Sequence, residues 1–204
     1  SFDLRHASGT SDLDGPYTIP LLGRHQIHNA VAAIAALDEL RRVGVPLQPR
    51  HIRQGLAGVR WPGRFEVLRR EPPLVVDCAH NGDSMARLVT ALGAWFPARR
   101  WTFVLGISKD KDLSAMLRAL APWTDRLLAT RSRHARAMPP AHLAELASEV
   151  LPHVGQVEDV SSALALALQG GGPVCVTGSI FVVAEALEAW ALCTGGDLFE
   201  TDPA

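Results

Sequence analysis

Lysine is scarce in this chain of 204 residues: it occurs only at Lys109 and Lys111, and arginine supplies the other cations. With a formal net charge of −1, the chain lacks the basic excess of a nucleic-acid binder, and no such partner is expected. Cysteine is sparse too. Cys78, Cys175 and Cys193 are odd in number and unrelated in spacing, and the first two sit in apolar strand contexts. Reduced, buried thiols are therefore expected rather than a disulfide framework. No apolar run approaches the roughly 18 residues of a membrane span, and no charged-then-apolar signal opens the chain. A cytoplasmic protein without a membrane partner is the expectation. Neither G-x-x-x-x-G-K-[ST] nor G-x-G-x-x-G is present. The run Gly170, Gly171, Gly172 precedes a strand, the wrong place for either. No methionine comes before Met85 and the chain opens on Ser1, which points to a fragment of a longer protein.

What is present is apolar and periodic. Hydrophobic residues make up 48%, enough for a substantial core. Residues 1–20 are polar and turn-rich, with an edge strand expected over Tyr17 to Leu22, bounded by Pro16 and Pro20 and pairing outside the chain. A helix follows from Gln26 to Val43, with Ile27, Ile34, Leu37 and Leu40 on its apolar side and Gly44 and Pro46 as stop signals. A short helix opens on Pro49. The break W-P-G-R at Trp61 to Arg64 is the best candidate for a domain boundary.

Beyond the break, strands at Phe65 to Leu68 and Leu74 to Cys78 form a hairpin through E-P-P. A helix capped by Asp83 or Ser84 comes next. Strands at Trp101 to Ile107, Arg126 to Thr130, Val154 to Val157 and Val174 to Thr177 then alternate with helices. Alternation of this kind gives an α/β fold, a mostly parallel, Rossmann-like sheet with helices on both faces. The polar tail from Gly195 is expected to fray.

Polar residues gather where such sheets bind ligands, at the carboxyl ends of strands. Asp77 ends a buried strand and suits either ribose hydroxyls, a metal, or the plain task of capping its turn. His80 and Asn81 open a helix whose free N–H groups favour an anion, although a lone histidine there can simply close the turn. Gly178-Ser179 repeats the arrangement at the last strand, as a small anion nest or an ordinary N-cap. Asp110-Lys111-Asp112 reads first as a solvated loop with an N-cap. His25 and His28 lack an acidic or thiol partner, so zinc is not expected there; the Asn29 amide can both donate and accept, which suits an adenine edge. Arg64 can fork onto a phosphate or make a surface ion pair. Cys78 is too apolar in its surroundings for a nucleophile.

Five stretches keep one order: L-L-G-R-H-Q-I-H-N-A at Leu21 to Ala30, W-P-G-R-F-E at Trp61 to Glu66, D-C-A-H-N at Asp77 to Asn81, G-I-S-K-D-K-D at Gly106 to Asp112, and G-S-I-F-V-V-A-E at Gly178 to Glu185. Together they resemble the folylpolyglutamate synthase/dihydrofolate synthase family of the Mur ligase superfamily. The resemblance implies the last part of a central ATPase domain at residues 1–59, a linker at 60–64 and a C-terminal glutamate ligase domain at 65–204. It also implies a monomeric, cytoplasmic ligase that uses ATP and Mg2+ to join L-glutamate to a folate or to dihydropteroate through an acyl phosphate. The metal ligands would lie in a missing N-terminal part, and the fragment alone would be inactive. By the same resemblance Asn29 contacts adenine, Arg64 reaches the nucleotide, Asp77 lies near the ribose, His80 lines the reaction centre and helps hold glutamate, and Ser179 binds the amino acid. Two positions depart from the family pattern, Cys78 in place of glycine and Gly82 in place of proline, the latter suggesting a looser turn. A cell-wall Mur-type amino-acid ligase or a non-catalytic α/β binding module are the rival readings.

Overall fold

A computed structural model of the chain describes residues 1–7, 9–97 and 99–195. The polar tail beyond Gly195 lies outside them. The chain divides into two compact units, the first ending at Trp61 and the second beginning at Pro62.

In the first unit, β1 (Phe2–Leu4) pairs antiparallel with β2 (Gly15–Tyr17), Phe2 opposite Tyr17. This corrects the strand expected over Tyr17 to Leu22: only Tyr17 is extended in a ladder, and its partner lies within the chain. The physical reason is local. Asp14 accepts N–H bonds from His6 and Ser11, each at 2.9 Å, closing the intervening loop and bringing the two three-residue strands together. Helices α1 (Arg24–Arg42) and α2 (Pro49–Ala57) complete the unit. Its core holds Leu13, Tyr17, Ile34 and Ile52, with Leu37 half-buried against them. The inward stripe of α1 is Gln26, Ala30 and Ile34, whereas Leu40 is 45% exposed, so the stripe expected from sequence is shifted around the helix.

The second unit carries a six-stranded sheet in the order β3-β4-β8-β5-β6-β7. It runs through β3 (Glu66–Arg70), β4 (Pro73–Asp77), α3 (Gly82–Trp95), β5 (Trp101–Leu105), α4 (Leu113–Leu120), β6 (Thr124–Ala129), α5 (Pro140–Ser148), β7 (Val154–Gln156), α6 (Val160–Gln169), β8 (Val174–Thr177) and α7 (Ile180–Thr194). Among the described strands of this sheet β3 and β4 pair antiparallel and the other pairings are parallel, as strand–helix alternation dictates. The strands β4, β5 and β8 are apolar almost throughout because helices cover both faces. Leu74, Val76, Val174 and Val176 pack against α6 and α7 through Val160, Leu164, Val182, Val183 and Ala186. Side chains of alternate parity point the other way. There Thr177 Oγ1 lies 4.0 Å from Met85 Sδ, placing α3 on the opposite face, with α4 packed beside it.

Two details of this unit differ from the sequence reading. Phe65 is not in β3 but precedes it, with φ of 45°. The N-cap of α3 is Asn81, not Asp83 or Ser84: its side chain accepts from Ser84 N at 2.8 Å, and Ser84 Oγ reciprocates toward Asn81 N at 3.1 Å. This capping box begins the helix one turn before the first apolar residue. Gly82 is accordingly the first helical residue and not a loose turn. A Cβ there would come within 2.8 Å of Ala115 Cβ, so glycine lets α3 approach α4.

Candidate active site

The last strand in sequence, β8, lies between β4 and β5. The segment leaving β4 goes to α3 on one face, and the segment leaving β8 goes to α7 on the other. Neighbouring strands whose continuations part to opposite faces open a crevice outside their carboxyl ends, the switch point at which open α/β sheets bind ligands. Asp77 and Thr177 are opposite each other in the register, so both strands end at the same level. Gly178 N donates to Ala79 O at 2.9 Å and ties the two loops together. Gly178 has φ of 107°, and a Cβ would stand 2.5 Å from Gly106 O, so both backbone hand and space call for glycine.

Asp77, at the end of β4, is tethered on both oxygens: Oδ2 accepts from Phe65 N and Oδ1 from Ala79 N, each at 2.8 Å. Burial pushes its carboxyl above the ordinary value, while those two N–H groups, Arg64 and His80 pull it back. Both readings of Asp77 therefore have a physical basis. It caps its own turn, and a carboxylate with about four lone-pair sites keeps acceptor capacity for a ligand hydroxyl. Arg64 is exposed and close enough to act on that carboxylate electrostatically.

His80 is exposed at the head of α3, with Nδ1 2.9 Å from Cys78 O. A carbonyl only accepts, so Nδ1 carries the proton, and Nε2 is the acceptor nitrogen of the neutral ring. Ser84 Oγ accepts from His80 N at 3.0 Å and steadies the backbone beneath it. Ser179, only 8% exposed, is the N-cap of α7 and accepts from Phe181 N at 3.2 Å. Cys78 is half-buried, and burial pushes its thiol up to about 11, with Asp77 adding to the effect. That is the opposite of what a nucleophile requires.

The edge thus brings together Asp77, His80 and Ser179, with Arg64 beside Asp77. Asn29 belongs to the first unit, exposed on α1, where its Nδ2 donates to Gln26 Oε1 at 2.9 Å. In the third loop of the edge, Lys111 pairs with Asp110 at 3.1 Å and Asp112 caps α4 by accepting from Ala115 N at 3.0 Å. The loop after β6 forms a groove of about 550 Å³ with Lys109, Arg131, Arg133, His134 and Glu158 among its lining. No expectation from the sequence falls on this groove, although the run R-S-R-H-A-R at Arg131 to Arg136 is a visible signal. Its arginines are already matched, Arg131 to Glu158 at 3.1 Å and Arg133 to Glu188 at 2.6 Å.

The family model described as Mur ligase, glutamate ligase domain matches residues 63–180, more than half of the chain. The chain belongs to the Mur ligase family. Among its relatives, folylpolyglutamate synthase of Lacticaseibacillus casei is 36% identical over 177 residues, covering 84% of this chain and 39% of the relative. Dihydrofolate synthase/folylpolyglutamate synthase of Mycobacterium tuberculosis is 36% identical over 142 residues, covering 67% and 29%. The crystal structure of Mycobacterium tuberculosis folylpolyglutamate synthase complexed with ADP and AMPPCP superposes with a TM-score of 0.74 at 32% identity, over 93% of this chain and 44% of that one. This Mur ligase chain therefore spans less than half the length of these relatives. Among the described residues no helix is long and apolar enough to cross a membrane.

Proposed function

We propose that the full-length protein is an ATP-dependent ligase that adds L-glutamate to folates, to dihydropteroate, or to both. The observation that carries this is the crevice between β4 and β8, where Asp77, His80 and Ser179 stand on two loops joined by the Gly178–Ala79 hydrogen bond. Membership of the Mur ligase family and the folate names of relatives that match along most of the chain favour this over a cell-wall ligase or a non-catalytic module.

The donor set fits a nucleotide and an amino acid. Arg64 offers a planar fork to phosphate oxygens. Asp77 offers its remaining lone pairs to ribose hydroxyls. Within the first unit, taken by itself, the Asn29 amide can both donate and accept, the chemistry an adenine edge needs. His80, its tautomer fixed by Cys78 O, presents Nε2 to the incoming glutamate or, when protonated, to phosphate. Ser179 and the first amides of α7 suit a carboxylate. Positioned donors stabilise the negative charge that builds as the amine attacks an acyl phosphate. Bound Mg2+ would neutralise phosphate charge. Its ligands are assigned to the remainder of the protein, as the family resemblance implies. Residues 1–59 are assigned to an ATPase domain, and the enzyme is read as a cytoplasmic monomer.

The test is an assay of the full-length protein with dihydropteroate and with reduced folate, each with ATP and glutamate. ATP-dependent glutamate incorporation is expected from the whole protein and none from these 204 residues alone. His80→Ala should lower kcat by about a hundredfold, the scale of losing a positioned group that accepts the proton of the attacking amine. Ser179→Ala should act mainly on the KM for glutamate. Absence of incorporation by the whole protein, or wild-type kinetics in His80→Ala, overturns the reading.

A further inference from the structure

The backbone on either side of Arg64 is fastened. Gly63 N donates to Glu66 Oε2 at 2.7 Å, and Gly63 O accepts from Cys78 N at 2.9 Å. Two residues on, Phe65 N donates to Asp77 Oδ2 at 2.8 Å. Gly63 and Phe65 both have positive φ, 74° and 45°, and both are buried, Phe65 to within 1% of full burial. For a bulky residue such as phenylalanine this conformation is unfavourable, and it persists only where the surroundings fix it. A Cβ on Gly63 would lie 2.8 Å from Val183 Cγ1 and 3.0 Å from Cys78 Sγ, so this backbone has no room to shift toward α7 or the end of β4. Arg64 is the one exposed residue between these two anchors.

We propose that Glu66 is a positioning residue for Arg64: with Asp77 it forms a pair of carboxylate clamps that hold residues 63 and 65 and so fix the direction in which the guanidinium is offered to nucleotide phosphate. The proposal rests on the ATP-dependent ligase reading for its ligand, but the clamp itself stands on the geometry. A long side chain on a mobile loop loses rotamer and backbone freedom on meeting a ligand. The clamps remove the backbone part of that loss in advance. Burial raises the Glu66 carboxyl above its ordinary value, and the Gly63 N–H pulls it back, as befits an acceptor held inside the turn and not a solvated surface charge.

The test uses the full-length protein. Glu66→Ala should raise the KM for ATP by about tenfold, the loss of one hydrogen bond to a charged acceptor. Glu66→Asp keeps the charge but shortens the reach and should behave alike. Glu66→Gln keeps an acceptor and should return to within about threefold of wild type. In an Arg64→Ala background, Glu66→Ala should add nothing further, because both act through one group. Multiplying effects in that double variant, or wild-type kinetics in Glu66→Asp, overturn the proposal. Amide exchange gives a reading that needs no activity: at residues 63–66 it should quicken about tenfold in Glu66→Ala while the sheet stays protected. Unchanged exchange there overturns the clamp, whereas a wild-type protein that fails to incorporate glutamate overturns only the ligase reading.

Discussion

Asp77 and Cys78 are adjacent, half-buried and both short of solvent, yet the chain treats them differently. The Asp77 carboxylate receives two backbone N–H groups that partly offset its desolvation; at Cys78 burial and the neighbouring carboxylates outweigh the pull of Arg64, and the thiol moves from an ordinary 9.0 up to about 11. A thiol whose folded pKa is raised keeps its proton, between those values, after the unfolded chain has lost it. Stability therefore falls as pH rises through that window. Comparison of urea midpoints at about pH 8.5 and about pH 10.5 should show a smaller drop for Cys78→Ala than for wild type. Some slope remains, because the buried Cys175 thiol is raised in the same direction. The apolar strand context of Cys78 was enough to read it as unreactive. The Phe65 conformation was not legible, because it depends on a carboxylate twelve positions along the chain that no local pattern announces.

At the scale of elements, β4, β5 and β8 were plain in the sequence because short, mostly apolar and β-branched or aromatic stretches between turn signals admit little else. The caps were harder. Asp83 and Ser84 have the right chemistry to begin a helix, and only the observed reciprocal bonds show that Asn81 takes the place and that Ser84 serves as its partner. The strands β1 and β2, three residues each, carry too short a pattern to be told from loop. The junction of the β8 and β4 loops gives a sharp prediction. Gly178→Ala forces a Cβ to 2.5 Å from Gly106 O at a φ of 107°. It should destabilise the second unit by about 3 kcal/mol, combining overpacking with a left-handed backbone. Urea unfolding measures it, and a change below about 0.5 kcal/mol, typical of surface sites, would contradict the packing described here.

At the scale of the whole chain, each unit has its own core, but they differ in depth. The first rests on Leu13, Tyr17, Ile34 and Ile52, whereas the second buries strands on both faces. Chains of about 60 residues bury too little surface to be more than marginally stable. A piece beginning at Pro62 should therefore unfold cooperatively by itself, and a piece ending at Trp61 should show no sharp transition; circular dichroism against urea distinguishes them. The placement of β8 has a further consequence, for the order in which the molecule is made. Chains emerge from the amino end and fold as units. The β3–β4 hairpin and the β5–β6 pair can be synthesised early, but they cannot join until residues 174–177 arrive to fill the gap between them. During synthesis the two loops of the crevice are separated by a missing strand, so they meet only after residues 174–177 have been translated.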